Sequence, residues 1–165
     1  MAEVNNIRIR IKSERYEVEA SLFSSPETEN GETLSILSEG EGAKPDIVEI
    51  QTEATLTLSD GRAEIAYEES EATGMEGSRT VISFLEEEDG IVSMVREGMV
   101  STNLVFEAGK RYLCVYRTPY MPFEVCVRTF KVDNRLLSER TLALDYIVEI
   151  RGAQAERTKF HVQIL

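Results

Sequence analysis

The chain has 165 residues, and its 30 Asp and Glu residues outnumber its 18 Lys and Arg residues, which gives a formal net charge of -12. A surface this acidic repels phosphate backbones and anionic headgroups, so neither nucleic acid nor a membrane is expected as a partner. The length predicts a single domain, residues 1–165, that can bury a core without disulfide support.

The first predicted strand covers residues 4–12, where Ile7, Ile9 and Ile11 alternate with basic residues. A period of two places the three isoleucines on one face, as in a half-buried strand. Residues 24–45 lack aromatic side chains and are rich in Ser, Glu and Gly. We therefore expect an acidic, flexible connection between the first strand or strands and the rest of the domain.

Alternation returns at residue 46 and continues at hairpin spacing. The pairs Asp60-Gly61 and Asp89-Gly90 are typical of tight hairpin turns. Helical periodicity is weak throughout, and the predicted strands cover residues 53–58, 62–68, 80–85, 91–96, 100–106, 141–150 and 158–165.

The strongest strand–turn–strand pattern lies in residues 111–132, which are rich in aromatic and β-branched side chains. Pro119 and Pro122 cannot donate to a sheet ladder, so the segment that contains them is predicted as a turn or an edge. Cys114 and Cys126 lie symmetrically about Tyr120 and could face each other across this hairpin. Small, reduced, buried thiols are the interpretation that we favour.

Together these patterns predict an all-β protein of about nine or ten strands. Sequential hairpins produce an antiparallel meander, and a meander of this size must close on itself or split into two sheets to protect its edges. We predict an up-and-down, closed or nearly closed antiparallel barrel of about 8–10 strands. A β-sandwich is the alternative.

Several short stretches resemble the YwiB-like family of small bacterial proteins of unknown function. The most specific are YEESEATGMEGS at residues 67–78 and the Y-x-T-P-Y turn at residues 116–120. Leu144-Asp145-Tyr146 adds a weaker match near the end of the chain. The resemblance implies a calycin-type, lipocalin-like barrel, in agreement with the strand pattern, and it brings no established activity.

Catalytic and metal sites have little support in the sequence. His161 is the only histidine, and no local motif provides a nucleophile with a base, so no catalytic residue and no enzyme activity are predicted. The acidic residues around Glu68 and Glu76 lack the spacing of a calcium loop, so neither a metal site nor a cofactor is predicted. The carboxylates that an enzyme could use within strands are those of Glu68, Glu124 and Asp145.

Polar and aromatic side chains inside strands are the better candidates for a site. Alternate strand positions face a barrel's interior, and a buried arginine needs a partner there. We therefore assign a tentative ligand-binding set at the barrel interior or mouth: Tyr67, Arg96, Tyr116, Thr118, Arg128 and Tyr146.

The best functional prediction is a non-enzymatic barrel that binds a small molecule of unknown identity. The alternative is a protein-interaction or structural module that acts through exposed loops or a dimer face. Its apolar tip would be Tyr120–Phe123, and its partner could be a second copy of the chain. Two cysteines are too few for a secreted disulfide scaffold, and the first residues show no apolar run of a secretory signal, so we expect the cytoplasm.

Overall fold

The computed structural model describes residues 2–18, 45–73, 75–150 and 154–165, and most of them lie in strands. Within these ranges, one 3₁₀ turn (Glu71–Thr73) and one four-residue helix, α1 (Leu136–Glu139), interrupt the strands. The strands are β1 (Glu3–Val18), β2 (Asp46–Ser59), β3 (Arg62–Glu68), β4 (Arg79–Leu85), β5 (Glu88–Glu97), β6 (Ser101–Glu107), β7 (Arg111–Arg117), β8 (Pro122–Arg135), β9 (Thr141–Ile150) and β10 (Gln154–Ile164).

Each strand pairs antiparallel with the next one along the chain, and β10 closes the sheet by pairing with β1. The closing ladder runs from Ile9 opposite Ile164 to Val18 opposite Ala155. The predicted up-and-down, calycin-like barrel is therefore confirmed, and the β-sandwich alternative is wrong. Closure removes the free edges on which another chain could pair.

Inward-facing positions build the core, because alternate residues of a strand point to opposite faces. Side chains such as Ile9, Ile65, Phe106 and Leu142 are fully buried. Helix α1 adds the buried side chain of Leu136. The carbonyl of Arg140, directly after α1, accepts a hydrogen bond from the backbone N–H of Ile164 at 2.9 Å, which ties the α1 region to the end of β10.

The wall is least regular between β6 and β7, which pair only at Ser101–Arg117 and Thr102–Tyr116. Instead of continuing this ladder, the turn at Gly109 exchanges backbone hydrogen bonds with Thr129 of β8. Gly109 has a φ of 78°, a conformation that glycine adopts without the strain other residues meet. The long strand β8 therefore reaches past the end of β7.

The predicted connection at residues 24–45 lies outside the described residues except for Pro45. In the described part of the chain the one α-helix has four residues, too short to cross a bilayer.

Candidate functional site

A cavity of about 570 Å³ lies in the barrel, at the end where β1 finishes and β2 begins. Its wall is mostly aliphatic and aromatic, with a few charged groups. The lining residues are Ile11, Ser13, Arg15, Glu17, Val48, Ile50, Tyr67, Glu69, Met75, Met94, Arg96, Leu104, Tyr116, Phe123, Tyr146, Val148, Ile150, Ala155, Glu156, Thr158 and Phe160. Its size and lining are those of a small-molecule site.

A belt of inward-facing residues, one from each of six neighbouring strands, runs beside this cavity, and four of its members line it. Each member lies directly opposite the next in the ladders between β3 and β8. Residues that lie directly opposite each other in neighbouring strands point to the same face, so the pairing register turns all six members inward. The belt comprises Tyr67, Thr80, Arg96, Thr102, Tyr116 and Phe123.

A buried polar cluster forms where Glu69 joins this belt. The Thr80 hydroxyl donates a hydrogen bond to Glu69 Oε1 at 2.6 Å and accepts one from Arg96 Nε at 3.2 Å. Arg96 Nη2 also contacts Glu69 Oε1 at 3.2 Å, so the three side chains form a closed triangle. The side chain of Glu69 is 1% exposed and that of Arg96 14%, so both charges are largely withdrawn from water and neutralise each other.

The backbone holds Glu69 in this position through the segment that leads into β4. The Glu69 N–H donates to the Ser78 carbonyl at 2.8 Å, and Ser78 is itself buried. Gly98, between β5 and β6, lies directly against Ser78. A Cβ atom at Gly98 would collide with Ser78 Oγ and lie 2.9 Å from Ser78 Cα, so this approach requires glycine.

Two tyrosines complete the polar side of the cavity. Burial raises the pKa of Tyr67, and the Glu69 carboxylate raises it further. Burial likewise raises the pKa of Tyr146, and the positive charge of Arg96 partly opposes that effect. The Tyr146 ring packs against Phe106 with centroids 4.4 Å apart, which fixes its position. Both hydroxyls therefore stay protonated near neutral pH and can donate or accept hydrogen bonds.

The remaining charged residues of the lining come from β1 and β10. Arg15 Nε lies 3.9 Å from Glu156 Oε1, and Glu17 follows Arg15 on the same face of β1. The aromatic part of the wall is formed by Tyr116 and Phe123, whose rings stack at 5.2 Å between centroids. One chamber thus combines a mostly apolar wall with charged residues from β1, β5 and β10 and from Glu69.

Comparison with known proteins places this chain in a family. The model of a domain of unknown function, DUF1934, matches residues 33–162. The chain belongs to this family. The fold is similar to the crystal structure of the ywiB protein from Bacillus subtilis, with a TM-score of 0.61 and 12% identity over 97% of this chain and 93% of that chain. At that identity the likeness shows the fold alone, and the search of curated proteins produced no match.

The YwiB-like resemblance predicted from the sequence is therefore confirmed, and the family still carries no assigned function. Four residues of the tentative ligand set lie together around the cavity of this DUF1934 barrel: Tyr67, Arg96, Tyr116 and Tyr146. Whether any of them binds a ligand stays a prediction.

The other two predicted site residues lie away from the cavity. The Thr118 hydroxyl is used inside the β7–β8 turn, where it donates to the Met121 carbonyl at 2.8 Å and accepts from the Tyr120 N–H. Arg128 points to the outer face, because its neighbours Val127 and Thr129 take the inward positions, and its guanidinium lies 5.7 Å from the centre of the Phe130 ring. Thr118 therefore stabilises a turn, and Arg128 packs on the surface.

Glu69 is the functional candidate that sequence reasoning missed. Glu68 was selected because it lies within the predicted strand, but Glu68 is exposed and the buried carboxylate is its neighbour. The period-two pattern contains the missing signal, since an inward Tyr67 implies an inward residue two positions later. The other candidate carboxylates lie outside as well: Glu124 is exposed, and Asp145 is held by Arg157 at 2.8 Å and 2.9 Å.

The two cysteines lie on opposite faces of the hairpin. Cys114 pairs with Val125 and is buried, whereas Cys126 pairs with Leu113 and points outward. The suggestion that the two thiols face each other is wrong, because the ladder is offset by one residue from the symmetric register. Within the described ranges, no group of three or more His, Cys, Asp or Glu side chains is placed to hold a metal ion.

Proposed function

We propose that this protein is a non-enzymatic binding protein that holds a small molecule inside its barrel. The observation that carries the proposal is the cavity of about 570 Å³ with its buried Arg96–Glu69–Thr80 cluster. A barrel of this kind can be filled by its own side chains, and a filled interior leaves no room for a ligand. Here fully buried side chains fill part of the interior, and the cavity lies at the end where β1 finishes and β2 begins.

The polar cluster supports binding because it gives an apolar chamber a point of orientation. Small-molecule sites combine apolar walls with a few fixed polar groups, and the triangle of hydrogen bonds fixes Arg96 before any ligand arrives. Thr102, next to Arg96 in the belt, is buried, and its hydroxyl has no hydrogen-bond partner within the described residues. Buried hydroxyls normally have a partner, so a buried water next to Arg96 would complete this cluster.

Native mass spectrometry of the protein purified from its own host tests the proposal. We expect a retained small molecule, or binding of an uncharged fluorescent probe such as N-phenyl-1-naphthylamine to the emptied protein. Val148→Trp should abolish either, because Val148 lines the cavity and an indole would occupy it. Leu113→Trp is the matched control, since Leu113 lies on the outer face and is 76% exposed. Equal binding by both variants would refute an interior site.

A second candidate function, a homodimer formed through the β7–β8 hairpin, has one supporting observation. Tyr120 is 95% exposed at the tip, and Leu113 and Val115 are exposed on the outer face of β7. The same face carries three arginines and one glutamate, and a two-fold contact through it would place each copy's arginines near those of the other. These four residues are Arg111, Arg117, Glu124 and Arg128.

Phe123 does not belong to this apolar tip, because it turns inward and stacks on Tyr116. Sedimentation velocity tests the dimer. We expect a concentration-dependent dimer in the wild type that Leu113→Glu weakens, with Leu137→Glu, an exposed position on α1, as the control. A monomer at every concentration would eliminate this candidate.

A further inference from the structure

The charges around the cavity indicate which kind of molecule it holds, an inference that rests on the proposed binding function. An arginine in an apolar barrel ordinarily attracts a carboxylate, because a guanidinium can donate two parallel hydrogen bonds to it. Arg96 differs from that case, since Glu69 already contacts its Nη2 at 3.2 Å. The protein itself supplies the counter-ion.

The position of Glu69 makes a second carboxylate unfavourable. Glu69 is almost completely buried, receives a 2.6 Å hydrogen bond from Thr80, and lines the same cavity as Arg96. An anionic ligand that reached Arg96 would therefore lie close to another buried negative charge in a medium of low dielectric constant. Two carboxylates in one such site cannot both remain ionised without a large energetic cost.

The rest of the lining does not compensate for this repulsion. Arg15 and Arg96 contribute two positive charges, whereas Glu17, Glu69 and Glu156 contribute three negative charges, so the lining carries one net negative charge. The molecule as a whole carries a formal charge of -12, which also lowers the local concentration of anions. Electrostatics thus selects against acids at both the wall and the approach to the cavity.

Neutral hydrogen-bonding groups remain available to a ligand. The Tyr116 hydroxyl belongs to a lining residue, and the Tyr67 and Tyr146 hydroxyls, which already hydrogen-bond to Glu69 and Thr158, can each accept a further hydrogen bond. Arg96 is 14% exposed. Around them the wall is aliphatic and aromatic. A volume of about 570 Å³ lies within the range of small-molecule sites.

From these observations we infer that the ligand is an uncharged, mainly apolar molecule with a neutral oxygen or amide group that hydrogen-bonds in the polar cluster. A fatty acid or another organic anion of the same size is discriminated against. Glu69 is the specificity-determining residue, because it neutralises the arginine that would otherwise bind the acid.

Competition between two matched probes tests the inference. Dodecanamide and dodecanoate have the same skeleton and differ mainly in charge, and each is used to displace N-phenyl-1-naphthylamine from the wild-type protein at neutral pH. We expect the amide to bind at least tenfold more tightly than the carboxylate. In Glu69→Gln, which frees Arg96, the amide-to-carboxylate preference should fall at least tenfold or reverse.

Glu156→Gln provides a second variant, because this exposed residue of the lining can be changed without disturbing the core. Glu156→Gln should lower the amide-to-carboxylate preference by about two- to threefold. This variant can be measured even if Glu69→Gln fails to fold. Equal or tighter binding of dodecanoate by the wild type would overturn the inference, as would an unchanged preference in folded Glu69→Gln. Failure of every probe to bind the wild type would refute the proposed binding function itself.

Discussion

Loss of either charge of the Arg96–Glu69 pair is expected to destabilise the barrel strongly. Arg96→Met keeps the length of the side chain and removes its charge, and Glu69→Gln keeps the shape of the carboxylate and removes its charge. Each single variant leaves one ionised group in a site where the partner side chains are only 14% and 1% exposed. The double variant leaves no charge there at all.

The magnitude follows from this burial. Breaking a buried ion pair by removing one partner costs about 3–5 kcal/mol, whereas replacing both partners is often close to neutral. For a chain of this size about 1 kcal/mol shifts the melting temperature by about 2–4 °C, so each single variant should melt about 6–20 °C lower. The loss of unfolding free energy in the double variant should be smaller than the sum of the two single losses by at least about 2 kcal/mol.

Urea denaturation of the wild type, the two single variants and the double variant measures the coupling. Lys12→Met is the control, because Lys12 forms a 3.3 Å ion pair with Glu14 in which the side chains are 45% and 25% exposed. That variant should lose about 0–1 kcal/mol, as exposed pairs do. Two outcomes would refute the view that the cluster stabilises this end of the barrel. One is a loss of unfolding free energy below about 1 kcal/mol in each single variant, and the other is a loss in the double variant equal to the sum of the single losses.

Three further outcomes are expected. Gly98→Ala should lose about 1–3 kcal/mol of unfolding free energy, because its methyl group collides with the segment that anchors the buried carboxylate. The control is Gly90→Ala, whose Cβ meets nothing within 4 Å and which should melt close to the wild type in the same thermal scan. Burial raises the pKa of Tyr146, so above pH about 10 the unfolded state loses a proton that the folded state keeps, and this residue should lower stability by about 1.4 kcal/mol per pH unit, in addition to the effect of Tyr67. Urea titrations between pH 9 and about 11 should show a shallower fall in Tyr146→Phe, and identical slopes would contradict the assignment. A thiol reagent should modify Cys126 in the native protein and Cys114 only after unfolding, because burial shields Cys114 and raises its pKa; two fast thiols would contradict the register of the hairpin.

The barrel could be predicted because the sequence features that specify its strands and turns are local and repeated. Alternation of apolar and polar residues defines a strand within a few positions, and Asp60-Gly61 ends one strand and starts the next. The turn predicted at Asp89-Gly90 is wrong, because both residues lie in β5 and the chain turns at residues 86–87. With about ten such strands linked by short turns, few arrangements protect the edges, so the architecture follows without knowledge of any long-range contact.

Whether a side chain faces the interior or the exterior of the barrel could be predicted only where the strands were regular. Tyr67, Tyr116 and Tyr146 lie in strands with clear alternation, and they line the cavity. Arg128 was misassigned because β8 carries apolar side chains on both faces, with Cys126 and Phe130 on the same face as Arg128. A shift of one residue exchanges the two faces of a strand, and period two alone does not reveal which parity is inward.

The sequence by itself determined the class of fold, the number of strands within one or two, and the acidic surface, because all three depend on composition and short-range pattern. Only the tertiary structure decided which carboxylate meets Arg96. Glu69 and Arg96 are 27 positions apart, and they meet because the ladders of β3, β4 and β5 bring Tyr67, Thr80 and Arg96 into one row. The hollow at one end has the same origin, since a cavity depends on how side chains from opposite walls fill the space between them, and that is a property of the closed barrel rather than of any one strand.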